Sequence, residues 1–209
     1  RVVAPNRSAT VVAKGATVDE PTTMPGGQNK GPNPLDLMCA SLGTCQEITY
    51  KMYATAMGLD VDSVSAEIVG DINLNGLVGN GGPVAFKSIK GKITLVSSES
   101  KEKLQELKKV VDAHCPLLAT LKQSVPCNLE LTYKGVNEKA CAGLAKDPVQ
   151  REGLLAVIGA GKEDTNALAF KYQSTSELSS DTLMTKVDLP LGHKLVVDEP
   201  TTMPGGNNQ

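Results

Sequence analysis

Five cysteines hold most of the chemistry open to this chain: Cys39, Cys45, Cys115, Cys127 and Cys141. The thiolate, not the thiol, is the nucleophile, so what matters at each is what would lower its pKa. Cys115 stands directly before Pro116, where a helix can begin. Unpaired backbone N–H groups and the helix dipole stabilise a thiolate at such a start. His114 adjoins it in sequence, although neighbouring side chains need not face the same way. Cys45 falls in an apolar stripe, a place that suits a buried small hydrophobe as well as a reactive thiol. Cys39 flanks that stripe on a different side of the same expected helix, so the two are poorly placed to bridge. Cys127, at the expected start of a strand, and Cys141, in a polar connection, read as structural. Asp36 and Glu47 are the acidic candidates on the helix, and each suits a solvated or first-turn charge as well as a general base.

Several other chemistries are disfavoured. There is no CxxC pair and only two histidines, His114 and His193, so no metal site is expected. The loop from Gly26-Gly27 to Gly31 lacks the spacing of a phosphate cradle, so no nucleotide or other cofactor is expected. A net charge of −2 and 3% aromatic residues leave no basic footprint or stacking platform for nucleic acid. No apolar run approaches the length of a membrane span, which points to a soluble protein. An odd number of cysteines without tight spacing argues against a secreted disulfide framework and for an intracellular compartment, cytoplasmic or organellar. The chain begins at Arg1, which either a removed leader, such as a mitochondrial one, or a piece of a longer protein would explain.

The elements that would position these residues follow from periodicity. Pro34 suits a first helical position. Leu35, Met38, Leu42, Cys45, Ile48 and Met52 recur at steps of three and four, so a helix is expected from about Leu35 to Met57, stopped by Gly58. Strands are expected at Val64–Ile72, Phe86–Val96 and Asn128–Tyr133, with a glycine-rich turn at residues 76–82. Ser98 or Ser100 can cap a second helix whose apolar face is Leu104, Leu107, Val110 and Val111. Further on, a helix is expected from Asp147 to Ile158. Strands at Ala167–Tyr172 and Lys194–Val197 are separated by a Ser/Thr-rich stretch. The pattern is mixed α+β, without the strand-helix alternation of a parallel sheet.

The nine residues Asp19 to Gly27, DEPTTMPGG, recur as Asp198 to Gly206. Long-period repetition usually marks duplicated structural units. The chain therefore divides into one full unit over residues 1–135 and a helix plus strands over residues 136–209 that open a second.

The segment from Asp19 to Cys45, DEPTTMPGGQNKGPNPLDLMCASLGTC, resembles the signature of the OsmC/Ohr-like family: a GG loop, an Asn-Pro dipeptide opening a long helix, and a cysteine twelve residues after that asparagine. Asn33 and Cys45 reproduce the spacing, and Cys115-Pro116 matches the later Cys-Pro landmark. The match covers about residues 16–134. The resemblance implies an OsmC-like α+β fold, with long helices central to an intertwined homodimer and bent antiparallel sheets around them. It also implies a thiol peroxidase for organic hydroperoxides: Cys45 attacks, Cys115 resolves, and a dithiol reductant restores the pair. Asp36, Glu47 and His114 are the supporting candidates.

Two departures bear on that activity. The family's glutamate directly after Asn-Pro is here Leu35, with Asp36 next. Arg1, Arg7 and Arg151 are the only arginines, and none stands in a copy of the family's thiolate-holding motif. A non-catalytic OsmC-like scaffold subunit of a larger assembly, or a binder of small hydrophobic ligands, is the alternative. The repeat adds the expectation that the C-terminal strands pack as a second N-terminal sheet, extending or mimicking the dimer.

Overall fold

A computed structural model describes residues 9–11, 16–24, 26–132, 152–153, 155–156, 159, 163–164, 169–178, 182–199, 201–202 and 205–206. The chain divides into two compact units: residues 1–34, 71–87 and 125–170, and residues 35–70, 88–124 and 171–209.

The second unit is organised by helix α1, Pro34–Ala56. Pro34 opens it as expected. Gly58 closes it at φ +66°, with Gly58 N–H donating to Thr55 O and Leu59 N–H to Ala54 O. That is the paired-bond stop a left-handed glycine allows. Strands β3 (Val61–Asn73) and β4 (Phe86–Ser97) follow, then helices α2 (Lys101–His114) and α3 (Pro116–Leu121). Ser100 caps α2, its hydroxyl accepting from Lys103 N–H. The chain returns as β5 (Ala169–Leu178), β6 (Thr185–Asp188) and β7 (Lys194–Val197). These five strands form one sheet in the order β4-β3-β5-β6-β7, with β5–β6 and β6–β7 antiparallel. The C-terminal strands thus continue the sheet to which β3 belongs.

Apolar residues decide how this unit packs. In β3, Val64, Ala66, Ile68 and Ile72 alternate into the core. Tyr50 and Ala54 of α1 pack with Val61, Val64, Leu107 and Val111, joining the end of α1 to β3 and α2. Ala40, nearer the start of α1, packs with Val187 and Leu189, backed by Leu37, Leu195 and Val197. Ile48, between them, meets Leu178 and Leu183.

In the first unit, β1 (Ala9–Val11) pairs antiparallel with β2 (Ala16–Val18). Asp19, which follows, is buried and organises the loop: its carboxylate accepts from the N–H groups of Glu20, Gln28 and Lys30. Gly31 lies so close to β2 that a Cβ there would fall 2.0 Å from Thr17 O. The expected glycine turn holds a short 3₁₀ segment, Asn75–Val78, and then Gly79, Gly81 and Gly82, all at positive φ.

Two local features recur in the copies of DEPTTMPGG, each within its own unit. Asp19 Oδ1 accepts from Glu20 N–H at 2.8 Å and Asp198 Oδ1 from Glu199 N–H at 2.9 Å. Gly26 and Gly205, equivalent in the repeat, have φ of 83° and 90°.

Four expectations differ from the structure. No strand forms over residues 124–132, and Leu129 and Leu131 are 91% and 93% exposed. Alternation makes a strand only where a neighbour completes the ladder, and none of the described strands does so. Cys127 lies exposed in that stretch rather than at a strand start. The polar stretch before Lys194 contains the strand β6 and the end of β5, since hydroxyl side chains tolerate a pleated surface. Finally, the apolar stripe of α1 describes its burial only in part. Leu42 and Ile48 are buried but Met52 is 41% exposed, while Asp36, Thr44, Gln46, Glu47 and Thr49 are buried. Neighbours on more than one face cover α1, so burial overrides its amphipathic pattern. The expected helix at Asp147–Ile158 falls largely outside the described residues.

Leu107 is fully buried where α1, β3 and α2 meet. Leu107→Ala is expected to lower the unfolding free energy by about 2–5 kcal/mol, read as a reduced midpoint in urea denaturation.

Candidate functional site

Two structural elements bring the sulfurs of Cys45 and Cys115 together. Cys45 projects from the middle of α1. Cys115 stands at the junction of α2 and α3, ending one helix and capping the next with φ −68° and ψ 113°. Its N–H still donates to Val111 O at 2.8 Å, while its carbonyl accepts from Ala119 N–H at 3.0 Å. Pro116 takes the first position of α3, where its missing N–H costs nothing. Held this way at both ends, Cys115 places its Sγ 3.4 Å from Cys45 Sγ. Both cysteines are free thiols; Cys115 is fully buried and Cys45 half-buried.

At 3.4 Å the two sulfurs share a proton. Removing the first proton is helped because the remaining S–H bridges to the thiolate, and removing the second is hindered by that bridge and by burial. The local groups favour the charge on Cys115. The hydrogen bond with Cys45 pulls its thiol down to about 6, and the Leu118 and Leu117 N–H groups and the Gln46 side chain add to this against the opposing effect of burial. The Cys45 thiol is held far above its ordinary range, chiefly by the same hydrogen bond and then by desolvation. A disulfide requires sulfurs about 2.05 Å apart, so closure asks for little more than 1 Å of movement.

The other predicted residues do not join this pair. Glu47, two positions beyond Cys45, lies on another side of α1, and its Oε1 accepts from the Ser176 hydroxyl at 2.7 Å. It is fully buried, and Oε2 finds no partner among the described residues. Burial pushes its carboxyl up to about 7; hydrogen bonding to Ser176 opposes the rise, more weakly helped by the nearby Thr185 hydroxyl and Ala66 backbone, while the Glu177 charge adds to it. Asp36 sits nine residues before Cys45, roughly 13 Å along the helix axis. Its Oδ1 accepts from Gln173 N–H at 3.1 Å, fixing the start of α1 to β5. The exposed His114 turns its Nδ1 to Val110 O at 2.7 Å and its ring toward Tyr53.

Cys39 sits with its Sγ 3.6 Å from Tyr172 O. Burial first, then the charge of Asp36, pushes its thiol up to about 11, so it stays protonated and unreactive. Cys141 falls outside the described residues. Among those residues no three His, Cys, Asp or Glu side chains converge to hold a metal ion, and no helix is long and apolar enough to cross a membrane.

Sequence reasoning missed Gln46, Ser176 and Thr185. Gln46, the residue after Cys45, is buried, and its Nε2 has no hydrogen-bond partner among the described residues. Only its adjacency to Cys45 hinted at this. Ser176 and Thr185 lie in stretches whose sequence reads as a polar connection, and nothing local ties them to Glu47.

The buried Glu47 predicts how stability depends on pH. Its folded pKa lies above the ordinary value, so between about 4.5 and 7 the folded state holds the extra proton. Its contribution is therefore complete below that window and declines as pH rises through it, by up to about 3 kcal/mol. Urea midpoints at mildly acidic and mildly alkaline pH are expected to converge in Glu47→Gln relative to the unaltered protein.

The family model described as OsmC-like protein matches residues 27–130, which include Asn33-Pro34, Cys45 and Cys115-Pro116. No curated protein matches the sequence. An OsmC-like protein of Mycoplasma pneumoniae is similar in structure at 22% identity, with a TM-score of 0.47 over 55% of this chain and 77% of that one. A protein of Psychrobacter arcticus designated as an osmotic stress induced and detoxification response protein aligns at 18% identity and a TM-score of 0.44, over 57% of this chain and 85% of its own. On the strength of the family match, the chain belongs to the OsmC-like protein family.

Proposed function

We propose that this protein reduces organic hydroperoxides with Cys45 and Cys115. The observation that carries this reading is the 3.4 Å separation of two free thiols. Cys45 is the more exposed sulfur and so the one a peroxide reaches first. The shared proton moves to Cys115, leaving Cys45 as the thiolate. Its sulfur attacks the terminal oxygen of the hydroperoxide and the O–O bond breaks. Cys45 becomes a sulfenic acid, and the departing alkoxide takes a proton, which the Cys115 thiol can supply. Cys115, now a thiolate, attacks the Cys45 sulfur and expels hydroxide, which is protonated to water. The product is a disulfide, and the two electrons have passed to the peroxide. An external dithiol returns them by thiol–disulfide exchange.

The family resemblance further supports a homodimer, or a pseudo-dimer made through the repeat. We read residues 1–135 as the OsmC-like unit and residues 136–209 as the opening of a second. The matching turns at Asp19–Gly27 and Asp198–Gly206 favour that division.

Titration of the reduced protein with an organic hydroperoxide tests the activity. Loss of two thiols, mapped by mass spectrometry to a Cys45–Cys115 disulfide, is expected. Cys45→Ser should abolish it, and Cys115→Ser should leave Cys45 as a trapped sulfenic acid. Thiols that stay inert under excess hydroperoxide would refute the peroxidase and leave the scaffold subunit as the better reading.

A further inference from the structure

Cys45 and Cys115 hold their sulfurs 3.4 Å apart as free thiols, Cys45 half-buried and Cys115 buried. That spacing is wider than a disulfide, whose sulfurs lie about 2.05 Å apart. It is too narrow for a soft ion that takes two thiolates in a line, since such an ion keeps its sulfurs on opposite sides, two bond lengths apart. One soft acceptor matches it with little movement: trivalent arsenic. Its lone pair makes it pyramidal, so two thiolates bond at close to a right angle and their sulfurs rest near van der Waals contact. Thiolates are the ligands that soft acceptors select.

The pair also fixes what else such an acceptor must carry. Pyramidal arsenic takes three substituents. Among the described residues no third Cys, His, Asp or Glu converges on the two sulfurs. Cys39, on another side of α1, keeps its Sγ 3.6 Å from Tyr172 O. The third substituent therefore comes with the ligand, as the carbon of an organoarsenical does.

We propose that Cys45 and Cys115 form a binding site for trivalent arsenicals bearing one organic substituent, which bridge the two sulfurs and block them to peroxide. Although it rests on the cysteine-pair reading above, this binding involves no oxidation, so the two can fail separately. The accessible Cys45 thiol displaces one hydroxyl of the dihydroxy arsenical: an As–S bond forms, an As–O bond breaks, and the thiol proton leaves with the hydroxyl as water. Cys115 displaces the second hydroxyl in the same way. Arsenic stays trivalent and both sulfurs stay reduced. The second bond closes within one molecule, so its effective concentration holds the ligand far more tightly than a single thiol can.

The probe is phenylarsine oxide, whose hydrated form carries two hydroxyls on arsenic, added to the reduced full chain with excess glutathione. One arsenical per chain is expected to resist glutathione and to be released by dimercaptopropanol. Alkylation of the loaded chain in urea, mapped by mass spectrometry, should spare Cys45 and Cys115 alone. Cys45→Ser and Cys115→Ser should each weaken retention by about a hundredfold or more. Arsenic mapped to one cysteine or to a different pair, or retention unchanged in a folded serine variant, overturns the proposal. If the variants do not fold, the mapping on the unaltered protein decides. A pair that oxidises with hydroperoxide but loses the arsenical to glutathione keeps the peroxidase and sinks this site; a pair inert to hydroperoxide that holds the arsenical does the reverse.

Discussion

A long helix covered on more than one face leaves each buried polar side chain in need of a partner, and α1 carries several. Asp36, Thr44, Gln46, Glu47 and Thr49 are all buried along its length. Uncompensated polar groups cost too much to be tolerated in number. Some of these find partners nearby, as Thr49 does through its bond to Cys45 O. Others reach far along the chain: Asp36 to the backbone of Gln173 and Glu47 to Ser176. The placement of β5 and β6 is thereby tied to α1 by polar contacts as well as by the apolar packing of Ala40, Val187 and Leu189.

The groups left incompletely satisfied are informative for the same reason. Glu47 Oε2, Thr185 Oγ1 and Ser174 Oγ lack partners among the described residues, and all three belong to α1, β5 and β6. A protonated Glu47 costs less there than an ionised one, which is why its carboxyl titrates near neutrality. On another side of the same helix, the sulfur pair solves its own problem differently. Two adjacent thiols, one buried and one half-buried, are stable together because one S–H can serve the other sulfur. A single helix thus presents a carboxyl that resists ionisation on one side and a thiol pair whose first ionisation is eased on another.

The C-terminal strands are part of this design. They share the sheet with β3 and β4 and supply the residues that meet the first half of α1. They also lead into the second DEPTTMPGG, whose turn copies the first in its Asp contact and its positive-φ glycine. These two features recur in different surroundings because each is specified locally. An aspartate accepts the next N–H, and a glycine allows a conformation that other residues avoid.

Local chemistry is what the sequence by itself determined: Pro34 and Gly58 bounding α1, a serine cap on α2 at Ser98 or Ser100, which the structure resolves to Ser100, the Cys115-Pro116 junction, the alternation of β3 and the repeated turn. Each depends on residues a few positions apart, so its physics is complete within a short window. Spacing and resemblance also singled out Cys45 and Cys115, though nothing local could bring them to 3.4 Å, since 70 positions separate them. That approach, the burial of Glu47 against Ser176, and the unpaired amide of Gln46 were decided only by tertiary packing. The same holds for the lost strand at residues 128–132 and for β6 within a polar stretch: strands exist by their neighbours, and a neighbour distant in sequence leaves no mark on the residues that will pair with it.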